Sequence, residues 1–394
     1  MKSKKTIRVA FLNLGSEEWT GGLHYLRNLL YALSYLEDDR VESYVFVGKK
    51  CDVALIEPIK AYAKIVHSSI IDHQSTGRIL WKGVYLLTGS HCILNNLLKK
   101  YKIDIISHSG IVGEKMPFKL VNWIPDLQHQ HLPKLFSENE YQRRDSRYEN
   151  MLIHSDRVLV SSKDTLRDLN NFLPGFEEKI DVINFVSQPK SFSCASNKYC
   201  SNMLEEKYVF HGKFFYLPNQ FWLHKNHMVV FEAVNILRES GLDILLLCSG
   251  HMEDHRNKSH IKKLKQYIGN NDLSNNIKLL GLIDYVDVFL FIRNSIAVIN
   301  PSFFEGWSST VEEVKSVGKR MILSNIRVHK EQDPPESVYF NPSSPKELAE
   351  ILRRYWSQNN GGPDVQMEKH AQKMLPGRTR SFGEKYLNIL LNLM

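Results

Sequence analysis

Two glutamates, Glu305 and Glu313, frame the stretch of this sequence with the most chemical content. An apolar strand ends at Asn300, a loop carries Glu305-Gly306, and the small hydroxyl residues Ser308, Ser309 and Thr310 start a helix. Amides at a helix N-terminus, together with the helix dipole, form an anion site. Glycine lets the backbone approach a ligand closely. Glu305 lies in the loop and Glu313 about one turn inside the helix, so both carboxylates can reach one cleft and accept hydrogen bonds from sugar hydroxyls. The same letters allow a second reading. Ser309-x-x-Glu312 and Thr310-x-x-Glu313 both match a capping box, which needs no ligand. For either glutamate taken alone, capping is the better reading.

A cation stands in a second loop. Leu217-Pro218-Asn219-Gln220-Phe221-Trp222-Leu223-His224-Lys225-Asn226-His227 follows a strand and leads into a helix. The dipole disfavours a lysine at a helix start, so Lys225 is either an exposed surface side chain or the partner of a bound anion. In the first half, the run from Val121 to Pro133 crowds Asn122, Asp126, Gln128, His129, Gln130 and His131 around the carboxyl end of an apolar strand. Parallel sheets hold their ligands there. These polar residues, His131 among them, are therefore placed to face a cleft. A His-x-His pair without a third ligand is weak ground for a metal site. Gly21-Gly22 follows the first strand, as an ordinary turn or as a ligand-facing loop. The G-x-G-x-x-G fingerprint and the P-loop are both absent, and no acidic residue is placed for an adenosine ribose, which disfavours NAD.

The elements that must position these residues alternate between strand and helix. Strands are expected at Ile7–Asn13, Val41–Val47, Ile103–Ser107, Lys119–Ile124, Arg157–Val160 and Ile180–Asn184. After a Ser-, Asn- and Lys-rich stretch at 187–207, read as an inter-domain linker, they resume at Phe214–Leu217, Ile244–Cys248, Ile277–Leu280, Ala297–Asn300 and Met321–Ser324. Apolar residues at helical spacing mark helices between them, among them Leu23–Leu36, Glu140–His154, His227–Arg238 and Thr310–Val317, and a last one at Met367–Leu391. The stretch Lys49–Ser90 shows no clear pattern. This is an α/β chain in two halves.

Its 394 residues suit two domains. With 43% hydrophobic and 24% charged residues the balance is that of a globular protein. No apolar run reaches the ~20 residues that cross a bilayer. The basic start Met1–Lys5 runs into a strand rather than a signal-peptide core, so a cytoplasmic location is expected. Five scattered cysteines, none in a C-x-x-C pair, read as reduced thiols. The net charge of +8 is spread over short clusters such as Lys2–Lys5, Lys99–Lys102 and Lys262–Lys265. Without a recognisable nucleic-acid motif, a nucleic-acid partner is not expected. Peripheral contact with the inner face of the plasma membrane through the basic N-terminal residues is compatible with the charge.

The stretch from Asn300 to Glu313, with Pro301-Ser302 inside it and Gly318-Lys319-Arg320-Met321-Ile322-Leu323-Ser324 after it, resembles the E-x7-E signature of retaining GT-B glycosyltransferases, family 4 of the group 1 type, as in bacterial polysaccharide and O-antigen enzymes. Lys319-Arg320 replaces the small residue and proline common there. The resemblance implies a GT-B fold, with two Rossmann-like domains whose parallel sheets face each other across a cleft. Residues 1–190 would form the acceptor domain, residues 205–374 the donor domain, and a C-terminal helix at 375–394 would pack back on the first. Glu305 would contact the donor sugar, the loop Gly306, Trp307, Ser308 and Ser309 would hold sugar and phosphate, and Glu313 would bind the ribose hydroxyls. Lys225 falls on the lysine of the family's Gly-Arg-x-x-x-x-Lys loop and would pair with the diphosphate. Gln220 replaces its arginine, leaving Asn219, Gln220 or His224 as uncharged donors. Gly250 would wall the nucleotide pocket and Leu282 would lie in the base-binding loop. Asp126 and His129 resemble an Asp-x-x-His-x-x-x-x-Pro stretch, here with its proline one position early, and Gly21-Gly22 the family's glycine loop.

These likenesses imply a hexosyltransferase that moves sugar from a nucleotide-diphosphate sugar to a saccharide or lipid-linked acceptor in surface polysaccharide or lipopolysaccharide synthesis. Glu305, Asp126, His129 and Lys225 would form its catalytic set, with no metal or other cofactor. The alternatives are a sugar-nucleotide epimerase on the same plan, or a catalytically silent nucleotide-sugar-binding subunit.

Overall fold

The computed structural model describes residues 6–12, 20–72, 75–111, 116–189 and 197–394, without the side chains of 20 and 197–201. Expectations for Met1–Lys5, for Asn13, for the part of the first glycine loop at 13–19, and for Cys194 and the Cys200 side chain lie outside those residues. Cys51, Cys92 and Cys248 are free thiols.

Seven parallel strands form the first sheet: β1 (Ile7–Leu12), β2 (Val41–Val47), β3 (Lys64–His67), β4 (Ile105–Ser107), β5 (Lys119–Trp123), β6 (Arg157–Val160) and β7 (Ile180–Val182), in the order β3-β2-β1-β4-β5-β6-β7. Six form the second: β8 (Phe215–Leu217), β9 (Leu246–Ser249), β10 (Ile277–Gly281), β11 (Val298–Asn300), β12 (Met321–Ser324) and β13 (Val338–Phe340), in the order β10-β9-β8-β11-β12-β13. Helices cover both faces of such sheets, so central strands read as unbroken apolar runs. Met321-Ile322-Leu323 of β12 is fully buried, Ile322 in one core cluster and its two neighbours in another.

Every expected strand forms. The edge strands β3 and β13 were not anticipated; they are short and lack a long apolar run. The helix Tyr285–Asn294 was also missed, because Phe289, Leu290, Phe291 and Ile292 bury its whole circumference and leave no stripe to recognise. The expected linker is partly helical. Asn197–Tyr208 is a helix whose Leu204 is buried in the second core and whose Lys207 Nζ lies 2.8 Å from Asp284 and 2.6 Å from Asp287.

The chain divides into two compact units. The first holds residues 1–127, 138–186 and 377–394; the second holds 128–137 and 187–376. The segment 128–137 thus groups with the second unit, although the sequence reading placed it within 1–190. The last helix, Val365–Asn392, ends in the first unit, where Tyr386 Oη donates to Ser107 Oγ at 2.6 Å. In each sheet the winding reverses once, between β1 and β4 and between β8 and β11. Connections leave to opposite faces there and open a crevice at the carboxyl edge.

Candidate active site

In the second unit, the loops after β8 and β11 meet at the point where the winding reverses. They are held together by one backbone hydrogen bond and by the Asn226 side chain. Phe303 N–H donates to the His224 carbonyl at 2.8 Å, and Asn226 Nδ2 donates to the carbonyls of Pro301 and Pro342 at 3.1 and 2.8 Å. Asn226 takes the left-handed conformation (φ 56°), which asparagine tolerates. That residue separates the short 3₁₀ turn Leu223–Lys225 from the helix His227–Glu239. Lys225 therefore sits in a turn before the helix rather than in its first position.

The turn aims Lys225 at Glu305. Their side chains approach to 2.6 Å, at 16% and 9% exposure. Ser302 Oγ donates to the same Glu305 oxygen at 2.6 Å. Burial by itself would raise the Glu305 carboxyl; Lys225, His329 and these hydrogen bonds outweigh it and hold the group below its ordinary value. His329 is buried, and burial lowers its imidazole to about 4, so its ring is neutral near pH 7. His224 is lowered well below its ordinary value by burial and by Lys225 and Arg256, and is neutral too.

Ser308, not Ser309 or Thr310, caps the helix Ser309–Val317; its Oγ accepts from the Val311 amide and from Asn300 Nδ2 at 2.8 Å. The third helical residue is then Val311, which has no side chain to reach back, so neither capping-box reading is realised. The Ser308 amide, expected to face phosphate, donates instead to Gln332 Oε1 at 3.0 Å. Gln332 Nε2 in turn donates to the Ser308 carbonyl and to Glu312 Oε1, at 3.0 and 3.1 Å. Gly306 and Trp307 are half-buried beside it. Asn219 is buried within the protein: its Nδ2 donates to Asn300 Oδ1 and its Oδ1 accepts from Thr310 Oγ1, both at 3.1 Å. Its side chain ties three segments together rather than presenting donors. Gln220 next to it is half-buried.

Glu313 lies one turn into the helix and accepts from Tyr285 Oη at 2.8 Å. Burial raises its carboxyl to about 7, against the lowering effect of that hydrogen bond. Tyr285 opens the helix after the loop that carries exposed Leu282. Gly250, at the end of β9, has φ +145°, and a Cβ there would stand 2.4 Å from the Asn219 carbonyl oxygen. Its own amide donates to the Gly281 carbonyl at 2.9 Å. Only glycine lets the loops after β8, β9 and β10 close this tightly.

His129 is fully buried in the second unit, edge-on to Phe136, whereas exposed His131 has its ring 4.9 Å from Phe304, next to Glu305. Asp126 belongs to the first unit, half-buried. Gly21 and Gly22 lie in the first turn of the helix Thr20–Ser34 of that unit, Gly21 exposed and Gly22 buried. Among the described residues, no group of three or more His, Cys, Asp or Glu side chains is placed to hold a metal ion.

Sequence reasoning missed Tyr285, Gln332 and Arg256. The guanidinium of Arg256 stands 5.4 Å from the Trp222 ring and donates to Gln128 Oε1 at 2.9 Å, near the loop where Gln220 replaces an arginine. In the first unit it also missed His108, at the end of β4 where the winding reverses, with Nε2 2.9 Å from Tyr25 Oη. A polar residue just after a strand was the one available signal for it.

Residues 211–374 match the family model of glycosyl transferases, group 1. The matched stretch contains Lys225, Glu305, Ser308, Glu313 and Gln332 together, and the match supports glycosyl transfer as the activity. No curated protein matches the chain. Among solved structures, HepE from Anabaena, in complex with UDP-glucose, aligns with a TM-score of 0.70 at 14% identity, over 98% of this chain and 100% of its own. A glycosyltransferase from Rickettsia africae aligns with a TM-score of 0.64 at 16% identity, over 98% of both chains. Sucrose-phosphate synthase from Thermosynechococcus elongatus aligns at 0.62 and 14%, over 98% of this chain and 94% of its own. At such identities the likeness is one of fold, and the fold is GT-B: α/β, with two Rossmann-like parallel-sheet domains.

Proposed function

We propose that the chain is a retaining glycosyltransferase that transfers a hexose from a nucleotide-diphosphate sugar to a saccharide or lipid-linked saccharide, in the synthesis of a surface polysaccharide. The observation that carries this reading is the half-buried Lys225–Glu305 pair at the carboxyl edge of the second sheet, inside the stretch that matches the group 1 model. The bound complex of HepE with UDP-glucose supports the same donor class.

In this reading Lys225 turns from Glu305 to the diphosphate, where it neutralises charge building on the leaving group in a dry site. Glu305, held ionised by its surroundings, then faces the sugar and stabilises its developing positive charge. The departing phosphate oxygen takes the proton of the acceptor hydroxyl, so that bond making and bond breaking share one face and configuration is kept. Glu313 accepts hydrogen bonds from the ribose hydroxyls. His131 takes the place first assigned to His129, whose ring is buried. No metal takes part.

A thermal-shift series with UDP, GDP and their sugars tests the donor. A ligand at ~100 times its dissociation constant adds about 2.7 kcal/mol of stability. Transfer to saccharide acceptors, with the anomeric configuration of the product read by NMR, tests the reaction. Turnover of donor without any acceptor would instead mark an epimerase. Stabilisation by nucleotide with no transfer to any acceptor would mark a silent subunit.

A further inference from the structure

The helix Thr76–Thr88 in the first unit is well formed. Ser75 caps its start by accepting from the Arg78 amide at 3.0 Å, and Gly89 ends it in the left-handed conformation. One side is anchored. Trp81 packs on the core of the first sheet, Tyr85 stacks on His91 with ring centres 4.3 Å apart, and Arg78 Nη1 donates to the Ile71 carbonyl at 2.9 Å. The other side is bare. Ile79, Leu80, Leu86 and Leu87 are 64, 60, 82 and 88% exposed. Positions 79, 80, 83, 86 and 87 fall on one helical face, with Gly83 between the four aliphatic side chains. Water gains nothing from this arrangement, and a contiguous exposed aliphatic face marks an interaction surface.

The charge around it names the partner. From Ser75 to Ile103 there is no aspartate or glutamate, while Arg78, Lys82, Lys99, Lys100 and Lys102 are all cationic. Lys82 is exposed on the helix itself, and exposed Lys99 and Lys100 end the neighbouring helix Cys92–Lys100, which packs against it. A second copy of the chain laid face to face would set these cations against one another, with no carboxylate between Ser75 and Ile103 to answer. A helix of 13 residues spans about 20 Å, too short for a bilayer core of about 30 Å, and no described helix is long and apolar enough to cross a membrane. Aliphatic residues on one face with lysines at its edge suit a helix lying in the plane of an anionic lipid surface.

We propose that the helix Thr76–Thr88 docks this protein on anionic bilayers, with Ile79, Leu80, Leu86 and Leu87 inserted among the acyl chains and Lys82, Lys99 and Lys100 against the headgroups. The inference stands apart from the glycosyl-transfer reading and does not need it. It also differs from the contact expected of the N-terminal lysines, which lie outside the described residues.

Co-sedimentation of the full chain with phosphatidylcholine vesicles, with and without phosphatidylglycerol, tests it. The parent is expected to bind the phosphatidylglycerol vesicles. The pair Leu86→Gln and Leu87→Gln is expected to lower the partition coefficient at least tenfold, and Ile79→Asn with Leu80→Asn to do the same. Lys82→Gln with Lys99→Gln is expected to weaken binding about fivefold per cation on phosphatidylglycerol vesicles only. Circular dichroism and melting curves check folding, and if one aliphatic pair misfolds the other still decides. A parent that stays in the supernatant overturns the proposal. So does unchanged binding of the aliphatic variants, or a parent dimer in light scattering that these variants split into monomers.

Discussion

Lys225 Nζ and Glu305 Oε1 lie 2.6 Å apart although the residues are 80 positions apart in the chain. The pair is the meeting of two loops from neighbouring strands, β8 and β11. The two groups given to the diphosphate and the sugar thus lie against each other.

Breaking this half-buried pair from one side leaves a poorly compensated charge. Lys225→Ala is expected to cost about 1.5–3 kcal/mol of stability, the range for a lost hydrogen bond to a charged group, with the double variant Lys225→Ala/Glu305→Ala less destabilised than the sum of the singles. Urea denaturation of the four proteins measures this. Transfer by Lys225→Ala should fall about 10²- to 10³-fold, as when a stabilising donor is removed from a transition state. Additive stability effects would show that the two side chains do not interact.

Glu313 gives the protein a pH dependence of a particular sign. Burial raises its carboxyl from 4.5 to about 7. In the unfolded chain the group loses its proton first, so its contribution to stability falls as pH rises through that window and levels off above it. The span is on the order of 3 kcal/mol. Glu313→Gln should flatten that part of the stability–pH curve. An unchanged slope in the variant would assign the dependence elsewhere.

The observed cap separates two neighbouring residues. Ser308→Ala removes the side chain that accepts from Val311 N–H and leaves Asn300 Nδ2 without that acceptor. The expected loss is about 1–2 kcal/mol, read as a lower melting temperature. Glu313→Ala caps nothing and should instead weaken nucleotide binding in a titration. If the two variants exchange these phenotypes, the capping-box reading of Glu313 is right after all.

Gly250→Ala brings a Cβ to 2.4 Å from the Asn219 carbonyl oxygen at a φ of +145°. The backbone must move, since no flexible side chain can yield. A loss of at least about 1–3 kcal/mol follows from such strain, together with weaker nucleotide binding, because the loop carrying Asn219 leads to Lys225. Wild-type melting and wild-type nucleotide affinity in this variant would refute the close approach.

Much of the scaffold was legible in the residues. Apolar runs such as Ile7–Leu12 and Met321–Leu323 announce buried parallel strands, and the spacing of Leu26, Leu29, Leu30 and Leu33 announces a helix, because burial repeats over a few neighbouring residues. The loop bearing Glu305-Gly306 before a hydroxyl-started helix was equally visible. Less was legible at the site itself. Ser308 rather than Thr310 caps, because the choice depends on Asn300 at the end of β11 and on Gln332 arriving from the helix Arg327–Gln332. His129 turned inward and His131 outward, a difference that two histidines one residue apart do not display in their letters.

The sequence by itself determined which segments become strands and helices and which loops carry charge, since those properties follow from neighbours along the chain. Tertiary structure alone decided that Lys225 meets Glu305, that Tyr285 meets Glu313, that residues 128–137 and 197–208 join the second unit, and that one face of Thr76–Thr88 stays bare. Those outcomes depend on the order in which parallel strands are laid side by side. That order is set by crossovers tens of residues long, whose ends leave no mark in the local pattern.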